Sequence, residues 1–128
     1  MTRKETQRLK RERIIEENGI IFLDNVSKSY SSGSPALNGV SLSIGRGEFV
    51  FIVGDSGSGK STLMNIIGCL DVPTRGHYTL SGIEIANQDE QTLAHIRNKQ
   101  IGFIFQSFFL MQKQTALENV KMPLIYAG

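Results

Sequence analysis

Eight consecutive residues, Gly54-Asp55-Ser56-Gly57-Ser58-Gly59-Lys60-Ser61, have the types and the spacing to hold a chain of phosphates. They fit the pattern G-x-x-x-x-G-K-[ST], the fit occurs once, and Thr62 extends it. Gly54, Gly57 and Gly59 let the backbone turn tightly and approach phosphate oxygens with no Cβ in the way. Successive N–H groups of the loop, with Asp55, Ser56 and Ser58 as its remaining positions, then point inward as an anion nest. The positive end of a following helix adds to the attraction. Lys60 supplies a point charge for the β- and γ-phosphates. Ser61 offers a hydroxyl ligand to magnesium, and Thr62 can bond the α-phosphate region. A glycine-rich turn that merely caps a helix gives no reason for Lys60, whose charge opposes the helix dipole there. The chemistry to expect is binding of a nucleoside triphosphate with magnesium.

Such a loop works only between a buried strand and a helix. Residues 48–53 (EFVFIV) are nearly continuous in apolar character, as in a strand buried on both faces. A helix is expected over residues 60–70. Before the loop, residues 20–26 read as a strand, and residues 40–44 alternate apolar and polar as a half-buried strand does. Gly45-Arg46-Gly47 is a turn, so residues 40–44 and 48–53 are expected to form a hairpin. After the loop come a turn at residues 73–76, strands at 77–80 and 83–86, a helix at 89–97 and a buried-type strand at 101–105. A last helix starts near Thr115, and Pro123 should kink or shorten it. The class is α/β.

The 128 residues suffice for one ordinary domain, and 40% hydrophobic with 20% charged residues is a globular composition. No apolar run approaches the ~20 residues that span a bilayer, and no signal-type apolar region follows the charged start, so a cytoplasmic location is expected. The single cysteine, Cys69, can form neither an internal disulfide nor a cysteine cluster and reads as a small buried apolar residue. Residues 1–17 hold six basic and four acidic side chains, which leaves eight of each in the rest. The body is therefore neutral, against a general nucleic-acid surface. The first segment reads as a charged helical extension, residues 1–18, with Ile14 and Ile15 docking its end on the body. His77, near a turn, and His95, on a polar helix, read as surface residues.

With these motifs in hand, the sequence resembles the ATP-binding subunits of ABC transporters from about residue 20 to its end. Val26-Ser27-Lys28-Ser29-Tyr30 looks like the family's A-loop, which implies that Tyr30 stacks on adenine. Residues 36–48 resemble the family's approach to the P-loop. Phe103-Ile104-Phe105-Gln106, with Gln106 placed 46 residues after Lys60, looks like its Q-loop. That implies a catalytic role for Gln106 beside Lys60, touching magnesium and the attacking water and sensing a membrane partner. Gly68-Cys69-Leu70-Asp71, Pro73-Thr74, Gly76 and Ala116-Leu117-Glu118-Asn119-Val120 look like the macrolide-exporter and lipoprotein-release group, as does Pro123-Leu124-Ile125-Tyr126-Ala127-Gly128. The resemblance implies a P-loop NTPase fold, a mixed sheet with an N-terminal antiparallel portion. It also implies ATP and Mg2+ as cofactors, a transmembrane permease partner, a second nucleotide-binding subunit in a homodimer, and a bacterial type of protein on the inner face of the membrane.

Parts of the family pattern do not occur in these 128 residues. There is no LSGGQ signature; Leu80-Ser81-Gly82 continues with Ile83-Glu84 and reads as a strand–turn–strand. No apolar strand ending in Asp-Glu follows Gln106, and no histidine fits the switch position. Ile20-Ile21-Phe22-Leu23-Asp24-Asn25 lies before the P-loop, and Ile66-Ile67-Gly68-Cys69-Leu70-Asp71 ends its helix, so neither serves as a Walker B strand. Hydrolysis needs an orienting group for water, a second magnesium anchor and charge neutralisation. Residues 19–128 are thus expected to be an incomplete nucleotide-binding domain and, alone, at best a weak nucleotide binder. Residues 101–111 carry eight apolar residues in eleven. Phe103 and Phe105 are expected in the core, and Phe108, Phe109 and Leu110 toward a partner. The competing readings are a non-hydrolysing nucleotide-binding remnant or regulator, and another P-loop NTPase. Neither an arginine-rich lid nor long heptads support the latter.

Overall fold

The computed structural model describes residues 1–31, 33–55 and 57–104. The chain divides into two units between Gln88 and Asp89. The first contains α1 (Arg3–Asn18), β1 (Ile21–Lys28), β2 (Leu37–Ile44), α2 (Lys60–Ile67), β3 (Arg75–Leu80) and β4 (Ile83–Glu84), and the second contains α3 (Glu90–Gln100).

Four strands form an antiparallel sheet in the order β2-β1-β3-β4. Its inner face carries Leu23 and Val26 of β1, three positions apart, although strict alternation would put them on opposite faces. A bulge resolves this: the register slips between them, and Asn25 takes a φ of 50°. β3 crosses this bulge at Gly76, whose φ is 89° and where a Cβ would lie 2.3 Å from the Asn25 carbonyl oxygen, so only glycine fits. β3 and β4 join through Ser81 and Gly82, both with positive φ, as a two-residue hairpin requires. The segment at residues 80–84 is thus the strand–turn–strand expected.

Helix α1 begins in a reciprocal capping box between Thr2 and Glu5. Its first ten residues are exposed, and Ile15 is buried. The second half is tied to the sheet: Arg11 Nε donates to the Ser81 carbonyl at 3.1 Å, and Arg46 pairs with Glu12 at 3.0 Å. Ile66 in the last turn of α2, Cys69 just after it and Tyr78 of β3 are all buried, and the Tyr78 hydroxyl donates to the Ile67 carbonyl at 2.6 Å. Burial pushes the Tyr78 phenol well up from its ordinary pKa, so it stays a donor. In the second unit, Asp89 caps α3 by accepting from the Thr92 amide at 2.7 Å, and Leu93 and Ile96 are buried.

Three expectations fail. Residues 40–44 do not form a hairpin with residues 48–53; they belong to β2, which pairs with β1. Residues 48–53 are not a strand but an unladdered segment with Phe49, Phe51 and Val53 at 84%, 78% and 87% exposure. A run apolar on both faces suits a strand that is paired at its edges and covered on both faces, and no strand among the described residues pairs with it. Phe49 and Phe51 contact each other edge to face at 5.0 Å. Residues 101–104 likewise form no strand; Phe103 is half-buried and Ile104 exposed. The mixed sheet is therefore present in its antiparallel part. Phe105, Phe108, Phe109, Leu110 and the helix expected near Thr115 lie outside the described residues.

The pair between Lys28 and Asp71, 2.9 Å apart, joins the end of β1 to the segment after α2. Partial burial pushes the Asp71 carboxyl up. The Lys28 ammonium, the Val72 amide and the Tyr30 hydroxyl outweigh that effect and hold it below the ordinary aspartate value. A carboxyl with a depressed folded-state pKa contributes stability that is complete above the unfolded value, ~3.9, and is lost as pH falls through the folded value. Thermal stability should therefore drop below about pH 4, and Asp71→Asn should flatten that drop in melts taken against pH. Tyr78→Phe should cost about 1–2 kcal/mol in denaturant unfolding, because the part-buried Ile67 carbonyl loses the phenol donor; an unchanged midpoint would show that water replaces the phenol.

Candidate functional site

The loop before α2 has the backbone that a phosphate cradle needs. Gly59 caps α2 in the left-handed region, φ 94°. A Cβ there would lie 2.7 Å from the Ala36 carbonyl oxygen and 3.0 Å from Leu37 Cδ2, so the loop presses against the start of β2 where no side chain fits. The first bond of the helix runs from the Leu63 amide to the Gly59 carbonyl at 2.9 Å. The amides of Lys60, Ser61 and Thr62 consequently have no acceptor inside the helix and are the donors an anion would take. The Ser58 amide closes a turn onto the Asp55 carbonyl at 3.1 Å.

Lys60 folds back across the loop, and its Nζ donates to the Gly54 carbonyl. No carboxylate among the described residues pairs with it. Its charge thus stands over the loop, held by a weak neutral acceptor that a phosphate oxygen would displace. Ser61 is exposed on the first turn, Thr62 is half-buried, and Gly54, Asp55, Gly57 and Ser58 are exposed. Ser56 and Gln106 lie outside the described residues.

Tyr30 stands just beyond β1, 63% exposed. The backbone after it returns at Ala36, whose amide donates to the Lys28 carbonyl at 2.7 Å and whose carbonyl abuts Gly59. An aromatic ring and the loop are thus linked through one short connection. Sequence reasoning missed two participants. Lys28 sits over the Tyr30 ring, 5.1 Å from its centroid, and Asp71 accepts from the Tyr30 hydroxyl at 3.0 Å. Their only signal was local, a lysine two residues before the tyrosine and an aspartate just past the helix. His77 and His95 are exposed and Cys69 is buried, as expected. No group of histidine, cysteine and carboxylate side chains among the described residues could hold a metal by itself.

Residues 37–127 match the family model described as ABC transporter. The uncharacterized ABC transporter ATP-binding protein YvrO of Bacillus subtilis is 54% identical over 110 residues, covering 84% of this chain and 48% of its own length. The macrolide export ATP-binding/permease protein MacB of Syntrophobacter fumaroxidans is 48% identical, covering 85% of this chain but 16% of its own length. The pyoverdine export ATP-binding/permease protein PvdT of Pseudomonas fluorescens is 54% identical over 85% of this chain and 17% of its own. A solved dimeric ATP-binding cassette, in a post-hydrolysis state bound to ADP and Pi, superposes with a TM-score of 0.79 at 50% identity, over 84% of this chain and 48% of that one. The chain spans about half the length of the single-cassette relatives it matches and a sixth of the fused ATP-binding/permease ones. A family match over most of its length, with identities near one half, makes this chain a member of the ABC transporter family of ATP-binding proteins.

Proposed function

We propose that residues 54–62 bind the triphosphate of ATP with magnesium, and that the chain supplies the nucleotide-binding part of a transporter ATPase. The observation that carries this is the cradle itself: three open amides at the start of α2 lie beside an ammonium that no carboxylate among the described residues pairs with, with a left-handed glycine packed where no side chain fits. Lys60 takes the β- and γ-phosphates, Thr62 the α-phosphate region, and the loop amides the oxygens between.

The donor set suits magnesium, which needs few protein ligands once phosphate oxygens and water supply the rest. The Ser61 hydroxyl is the ligand from α2, and Gln106 a second one that also orients the attacking water. Bound magnesium offsets the charge that builds on the terminal phosphates. Tyr30 receives the base, through a stacking contact that every base can make.

The family resemblance and the fused ATP-binding/permease relatives support the wider reading: a cassette beneath a membrane permease, paired with a second cassette, on the inner face of a bacterial membrane. Export, as in the macrolide and pyoverdine relatives, or lipoprotein release would be its task. Residues 1–18 form an extension to the partial cassette of residues 19–128. Because the signature and the acidic strand end are not among these residues, the 128-residue chain binds nucleotide with little or no turnover. The same gap favours one second reading, a nucleotide-binding module without catalysis.

Calorimetry with Mg-ATP should show at least about a tenfold loss of affinity in Lys60→Ala, whereas unchanged affinity removes the phosphate-loop assignment. Ser61→Ala should abolish the gain that magnesium gives to ATP binding while leaving metal-free binding nearly intact. Phosphate release by the 128 residues should stay at background and appear when the downstream half of the cassette is supplied on a second chain. Turnover by the chain alone, lost in Lys60→Ala, would show that the catalytic parts are already present. Background release in both arms would favour the inert module.

A further inference from the structure

We propose that Asp71, braced by Lys28, is a positioning residue that holds the Tyr30 ring ready for the base of a nucleoside triphosphate. This rests on the reading of Tyr30 given above. A tyrosine 63% exposed at the end of a strand has rotamers to lose when a base stacks on it. Fixing the ring beforehand removes that cost from binding.

The contacts here do fix it. Asp71 uses both carboxylate oxygens. Its Oδ2 accepts from the Tyr30 hydroxyl at 3.0 Å, while its Oδ1 accepts from Lys28 Nζ and from the Val72 amide, each at 2.9 Å. Lys28 Nζ also donates to the Val72 carbonyl at 2.9 Å, which holds the ammonium over the ring. A cation over one face leaves the other for a base. The backbone on either side is clamped as well. The Ser29 amide donates to Thr74 Oγ1 at 3.0 Å, and the Thr74 amide to the Ser27 carbonyl at 2.8 Å. Asp71 itself is placed by α2, since its amide donates to the Asn65 carbonyl at 3.2 Å. The helix whose first turn cradles the phosphates therefore also places, just past its last turn, the carboxylate that aims the ring.

The test compares ATP with tripolyphosphate, which has the phosphates and no base, on the 128-residue chain by calorimetry and by NMR of the tyrosine rings at millimolar ligand. In the wild type, ATP should bind more tightly than tripolyphosphate and shift the Tyr30 ring resonances. Asp71→Ala should lower ATP affinity about three- to tenfold and leave tripolyphosphate unchanged. Tyr30→Phe, which keeps the ring and loses its tether, should show the same loss, and the double variant no further loss. Asp71→Asn, which keeps an acceptor, should recover part of it. Equal losses for both ligands, or a Tyr30 response to ATP unaltered in Asp71→Ala, would overturn the positioning role while leaving Tyr30 as the platform. A wild type that treats the two ligands alike, with no Tyr30 response, would remove the platform and this proposal with it.

Discussion

A helix that offers its first amides to an anion must be held by its other end. α2 is eight residues long, too short to persist in water without packing. Backbone amides just after the helix take the carbonyls of Met64, Asn65 and Ile66, which leaves that of Ile67. The Tyr78 hydroxyl takes the Ile67 carbonyl, and burial of Ile66 and Cys69 anchors the last turn. Tyr78 can reach only because β3 runs beside β1, with Leu23 opposite Tyr78, and β3 can run there only because glycine stands at position 76. The antiparallel sheet is thus the anchorage of the phosphate loop, although none of its strands enters the loop.

That dependence explains what was legible in the sequence. The loop at Gly54 to Thr62 was, because its chemistry is local: glycines, a lysine and hydroxyls within one turn of each other. The strand–turn–strand around Ser81-Gly82 was local too. The partner of residues 40–44 was not. A turn at residues 45–47 suggests pairing with residues 48–53, yet Val40 lies opposite Val26. Alternation says that a strand has one buried face; it does not say which strand lies beside it. The contacts to Asp71 span 41 and 43 residues, so local pattern marked the residues themselves but not that they pair.

Residues 48–53 show the limit from the other side. Their composition describes a strand buried on both faces, yet in this chain they are exposed and unladdered. Both statements hold, because composition records the environment a segment is suited to, whereas structure requires the neighbours that make it. This chain spans about half of the solved cassette that superposes on it.

Anchorage through α2 would also let the two ends of a nucleotide be sensed together. The loop and the Tyr30 segment meet where the Ala36 carbonyl abuts Gly59, and they meet again through α2 and Asp71. A displacement of α2 along its axis would shift the phosphate donors and the carboxylate that aims the ring at once. Rigid coupling of this kind needs no long pathway, because one short helix carries both groups. Under the proposed reading it would also fix the distance between a base and its phosphates, which a ring on a loose loop could not do.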